Sequence, residues 1–105
     1  MVTFIYLVSG RPEITQSPED QTVTVGETLT LHCRAGGRPT PQISWRKNDL
    51  PLPSDPRITV DELGSLTITN VQLDDRGLYR CTAFNSAGSV SDFARIEIIC
   101  KCLFP

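Results

Sequence analysis

The chain has 105 residues, a formal charge of -2 and a pI near 5.2, with 39% hydrophobic and 21% charged residues. That length holds one domain with short tails, and the mild acidity excludes a broad basic field for nucleic acid or an anionic membrane surface. Four cysteines in so short a chain point to an oxidising compartment, because cytosolic thiols are kept reduced.

Residues 1–11 read as a tail. Its segment Val2-Thr3-Phe4-Ile5-Tyr6-Leu7-Val8 is apolar, uncharged and β-prone, the profile of an aggregating strand. It falls short of the roughly 20 apolar residues of a membrane span, so no direct membrane insertion is expected. It also lacks the basic n-region of a secretory signal and reads as a truncated signal or a gene-model remnant.

The domain is expected over residues 12–99. Ile14 begins a first strand, Pro18 breaks it, and residues 21–25 resume it at an edge, because proline cannot donate into a ladder. Residues 28–34 form the next strand, in which Leu29, Leu31 and Cys33 share one face. Gly36-Gly37 reads as a turn. The strand 42–47 turns Trp45 inward, and the stretch from Asn48 to Pro56 reads as a loop rich in turn residues. Strands over 57–60 and 65–71 follow, then one helical turn over 73–77, then strands over 77–84 and 89–98. In the first of that last pair Tyr79, Cys81 and Ala83 share a face. Cys33 and Cys81, both pointing inward from facing sheets, can meet across a core about 10 Å thick. The count is eight β segments and no longer helix, an all-β fold.

Taken in order, these pieces resemble an immunoglobulin domain of the intermediate, or I-set, kind. The residues that carry the resemblance are Cys33, Trp45 and Cys81, with Asp75-Arg76-Gly77-Leu78-Tyr79-Arg80 before the second cysteine. Val25-Gly26-Glu27, Gly37-Arg38-Pro39-Thr40-Pro41, Gly64-Ser65-Leu66-Thr67-Ile68 and Ala83-Phe84-Asn85-Ser86-Ala87-Gly88 complete the set. The resemblance implies a two-sheet antiparallel Greek-key sandwich bridged by Cys33 and Cys81, with Trp45 and Leu66 in its core. It also implies that the Tyr79 hydroxyl bonds backbone at a tyrosine corner and that Asp75 pairs with Arg57. A bridge closing a loop of about 49 residues is worth about 4 kcal/mol in the chain-entropy model. Only 47 residues lie between the cysteines, too few for the long extra hairpin of a variable-type domain.

Nothing marks an enzyme. His32, the single histidine, falls on the outward face beside Thr28, Thr30 and Arg34, and no positioned nucleophile accompanies it. Asp74 and Asp75 are adjacent, so they cannot oppose one another across a substrate, and Gly36-Gly37 lacks the lysine and helix of a phosphate loop. No cofactor or metal is expected: Cys100 and Cys102 have no second cluster to complete a four-ligand site. The tail 100–105 ends in the shape of a prenylation box, but Pro105 is not among the usual final residues. An interchain disulfide through Cys100 or Cys102 is the chemistry left open, beside the plainer reading that a longer multidomain chain has been cut there.

Strand parity instead gives a candidate binding face. With Trp45, Cys81 and Ile96 inward, Arg46, Arg80, Phe84, Phe93 and Arg95 point outward from the sheet made by strands C, F and G, a composition enriched at protein interfaces. The same parity turns Asp92 inward, where a β-bulge would reset the register. The expectation is therefore a non-catalytic recognition, adhesion or spacer module. By the resemblance it belongs to a cell-surface or extracellular matrix protein and meets protein partners, homophilic or heterophilic, or neighbouring immunoglobulin domains. The alternative is a structural module of an intracellular muscle or cytoskeletal protein.

Overall fold

The computed structural model describes residues 10–101; the apolar segment 2–8 and residues 102–105 lie outside the described residues. Ten strands form among them: β1 (Gly10–Gln16), β2 (Gln21–Thr24), β3 (Leu29–Leu31), β4 (Arg34–Arg38), β5 (Gln42–Lys47), β6 (Leu50–Pro51), β7 (Ile58–Val60), β8 (Leu66–Ile68), β9 (Gly77–Asn85) and β10 (Gly88–Ile99). A single 3-10 turn, Leu73–Asp75, precedes β9. One sheet has the order β2-β10-β9-β5-β6, a second the order β3-β8-β7, and β1 pairs with β4. All of these ladders are antiparallel except β2 with β10, which is parallel.

Alternation builds the core. Leu29 and Leu31 of β3, Leu66 and Ile68 of β8, Tyr79, Cys81 and Ala83 of β9, and Ala94 and Ile96 of β10 are all buried. Cys33 and Cys81 are bridged, their Cα atoms 6.5 Å apart, and Trp45 stands directly opposite Cys81 in the β5–β9 ladder. Its indole Nε1 donates to the Gly64 carbonyl at 2.8 Å, so the largest core side chain leaves no buried donor unpaired.

Several local expectations are corrected. The strand read as 28–34 is two pieces, β3 and β4, with His32 and Cys33 in the break between them. Gly36-Gly37 is not a turn but part of β4, paired with β1, which starts at Gly10 rather than Ile14. Glycine there serves close approach: a Cβ on Gly37 would stand 3.2 Å from the Gly10 carbonyl oxygen and 3.1 Å from Asn85 Nδ2. The loop after β5 holds a two-residue strand, β6, because Asn48 and Asp49 both take positive φ (51° and 66°), the conformation of a tight hairpin turn. The strand read as 65–71 keeps only Leu66–Ile68; Asn70, with φ 49°, turns the chain away.

The β9–β10 register is unbroken from Gly88 opposite Asn85 to Ile96 opposite Gly77, so no bulge forms at Asp92. Asp92 lies half-buried, and its carboxylate accepts the Phe93 N–H at 2.8 Å. Asp20 accepts the Arg95 N–H at 2.7 Å. These two carboxylates occupy donors of β10 beyond the reach of β2, which pairs only with Ile96 to Ile99; a strand edge so blunted resists pairing with other chains.

Gly64 gives a direct test of this packing. It has φ 98°, and a Cβ there would stand 2.8 Å from Ile43 Cγ1. Gly64→Ala is expected to cost about 2 kcal/mol or more, through left-handed strain and the collision together. Thermal unfolding should show it as a Tm lowered by roughly 10 °C.

Candidate functional site

Two polar constellations stand out, one structural and one outward-facing. In the first, Arg57 precedes β7 and reaches across to the 3-10 turn. Its Nη1 donates to Asp75 Oδ2 at 2.9 Å and to the Asn70 carbonyl at 2.9 Å, and its Nη2 donates to Asp75 Oδ1 at 3.3 Å. Asp55 takes the other side of the fork, 2.9 Å from Nη2. The Gln72 N–H also donates to Asp75, and the Tyr79 hydroxyl donates to the Asp75 carbonyl at 2.5 Å.

The chemistry of this corner follows from burial set against pairing. Burial pushes the Asp75 carboxyl up, but the hydrogen bonds from Arg57 and from the Gln72 N–H, with the Arg57 charge, outweigh it and hold the group below the ordinary range. Arg57 is raised, chiefly by its bonds to Asp75 and Asp55. Burial, with the Asp75 charge beside it, raises Tyr79. All of these groups are thus locked in one protonation state near neutrality, the behaviour of a brace rather than an acid–base catalyst.

The second constellation is a set of cross-strand rows on the outward face of β5, β9 and β10. Arg46 stands opposite Arg80, and Arg80 opposite Phe93, so these three side chains form one row across three strands. Pro51 of β6 pairs with Arg46 and extends the row. The adjacent row, Ser44, Thr82 and Ser91, is polar, with the Thr82 and Ser91 hydroxyls 2.8 Å apart. Phe84 lies one row further, between Gln42 and Ser89. Arg95 stands opposite Leu78, on the other side of the arginine row. Four of the five candidate residues therefore cluster, and Phe84 is about 13 Å from Arg80 along β9. Phe93 is 46% exposed and Phe84 41%.

Residues 12–98, which include both bridged cysteines and the corner residues, match the family model described as "Immunoglobulin I-set domain". The chain belongs to the immunoglobulin I-set family. Over 99 residues it is 46% identical to the peroxidasin homolog of Mus musculus, covering 92% of this chain and 7% of that protein. The I-set domain here thus spans less than a tenth of the length of the curated relatives it matches. Among solved structures, the Ig1-2 module of the Drosophila receptor protein tyrosine phosphatase DLAR superposes with a TM-score of 0.81 at 36% identity, covering 87% of this chain and 47% of that one. The titin M3 domain gives a TM-score of 0.80 at 30% identity, covering 86% and 98%.

The I-set domain also contains contacts that sequence reasoning missed. His32 is exposed, yet its Nδ1 lies 2.9 Å from the hydroxyl of Ser65, a buried residue thirty-three positions away. Asn85, named above only within a segment that carries the resemblance, donates from Nδ2 to both the Gly10 and Pro39 carbonyls and so ties β1 and the turn after β4 to the end of β9. Asp49, read as loop, lies beside the arginine row: its carbonyl accepts Arg46 Nη1 and its carboxylate lies 3.5 Å from Arg80 Nη1. Cys100, one of the two cysteines expected to offer an interchain bridge, is disulfide-bonded; Cys102 lies outside the described residues.

The corner makes the I-set domain acid-sensitive in a defined sense. Asp75 is depressed when folded, so its stabilisation is present above the unfolded value, about 3.9, and is lost as pH falls through the folded one. Asp75→Asn should lower Tm at pH 7 and lose less further stability than the parent between about pH 4 and pH 2. Thermal melts across that range check both signs.

Proposed function

We propose that this I-set domain is a non-catalytic protein-recognition or adhesion module of a cell-surface or extracellular matrix protein, meeting its partners through the outward face of β5, β9 and β10. The observation behind this reading is the Arg46-Arg80-Phe93 row. It joins an exposed aromatic to two guanidinium groups on rigid strands, residue types enriched at protein interfaces. The opposite sheet supplies a contrast, since the row Thr30, Thr67 and Thr59 offers only small hydroxyls. Catalysis has no comparable support. Ser65, the only hydroxyl seen on the histidine among the described residues, is buried, and its N–H is held by Asp61.

A structural module within an intracellular muscle protein is the second reading, favoured by the likeness to titin M3. The Cys33–Cys81 bridge favours the extracellular one. Mass spectrometry of the native protein after thiol alkylation separates them: Cys33 and Cys81 unalkylated until reduction supports the extracellular reading, and both modified in the native protein supports the intracellular one.

The face has its own test. Phe84→Ser/Phe93→Ser should weaken binding of the multimerised domain to partner-bearing cells by about tenfold or more. Far-ultraviolet circular dichroism should stay unchanged. Full binding by this folded variant contradicts the proposal.

A further inference from the structure

Arg46 and Arg80 are organised by one residue. Asp49 sits in the left-handed second position of the β5–β6 turn, φ 66°, and from there its carbonyl accepts Arg46 Nη1 at 3.1 Å while its carboxylate stands 3.5 Å from Arg80 Nη1. Each guanidinium carries five N–H donors, so one carbonyl and one distant carboxylate leave most of them unused. Arg80 Nε is buried without a hydrogen-bond partner, a costly condition for a donor; the Nη atoms are the ones open to a further acceptor.

Resting on the reading of this face as the contact surface, the geometry points to a ligand of one chemistry: a protein segment in which an aspartate or glutamate side chain stands next to an apolar residue. The carboxylate engages the Arg46 and Arg80 forks, the arrangement in which charge-assisted bonds are strongest and most directional. The apolar neighbour covers Phe93, directly across the ladder from Arg80. Asp49 is the chain's own stand-in for that carboxylate, and with its side chain 80% exposed it is loosely seated and readily displaced.

Charge complementarity decides the class of partner. A sulfated polysaccharide needs a continuous track of cations, whereas here Phe93 and Pro51 flank the arginines and Asp49 lies beside them. The net charge of -2 opposes a long polyanion beyond the row itself. A short acidic and apolar peptide segment meets neither obstacle.

The test is a titration of the isotope-labelled chain followed by nuclear magnetic resonance, with N-acetyl-Leu-Glu-amide as probe and N-acetyl-Leu-Gln-amide as control. The glutamate peptide should shift the Arg46 and Arg80 side-chain N–H signals and the Phe93 amide saturably, with a dissociation constant on the order of 1 mM. The glutamine peptide should bind about fivefold more weakly or less. Arg80→Gln should abolish the shifts. Asp49→Asn, which keeps the turn because asparagine tolerates the left-handed region, should tighten binding about threefold by removing the competing carboxylate. The inference is overturned by any of three results: no saturable shift up to about 10 mM, equal responses to the two peptides, or a sulfated hexasaccharide that shifts the same signals more strongly. Loss of partner binding in the Phe84→Ser/Phe93→Ser variant, with no response to the glutamate peptide, would leave the contact face standing and remove the carboxylate assignment alone.

Discussion

The pairing of Cys33 with Cys81 is the constraint on which the rest of this domain depends. A side chain can cross from β9 to the other sheet only if it points inward, and the period of a strand is two. Fixing Cys81 inward therefore fixes Arg80 and Thr82 outward, and a slip of one residue would invert the whole strand. Trp45 stands opposite Cys81 on β5 and Asp92 opposite it on β10. Arg46 and Phe93 are consequently delivered to the same outward row as Arg80. The proposed contact face is the other side of the core's own register.

The corner around Arg57 supports that register from one end. The Arg57–Asp75 fork and the Tyr79 hydroxyl tie the 3-10 turn to the start of β9, so the strand enters the sheet at a defined height. Lys47, at the end of β5, donates to the Asp74 carbonyl and links the neighbouring strand to the same turn. Asn85 does the corresponding work at the far end of β9. With both ends anchored, the outward side chains sit on a rigid platform, which lowers the ordering cost of binding.

Much of this was legible in the sequence because it depends on alternation within single strands. Tyr79, Cys81 and Ala83 are buried where their spacing puts them, and the alternation through Phe93, Ala94, Arg95 and Ile96 survives intact. Relations between strands were harder to read. That Arg80 lies between Arg46 and Phe93, while Phe84 lies two rows away, depends on how three strands are staggered, and no single strand encodes its stagger. Backbone geometry was the other blind spot. Glycines at 36 and 37 suggested a turn because glycine usually breaks strands, yet the missing side chain of Gly37 admits β1 and Asn85 at close range, while Gly36 faces open space. Asn48 and Asp49 suggested a loose loop, whereas their two positive φ angles make a tight hairpin and bring Asp49 to the arginines.

The bridge-fixed register gathers Arg46, Arg80 and Phe93 into one outward row. Interstrand nuclear Overhauser effects on the oxidised chain test it most directly, since facing residues of antiparallel strands come within about 5.5 Å of one another at Cα. Cross-strand contacts linking Arg46 with Arg80 and Arg80 with Phe93 are expected. Contacts that instead pair Arg80 with Trp45 or with Asp92, the signature of a one-residue slip, would contradict it.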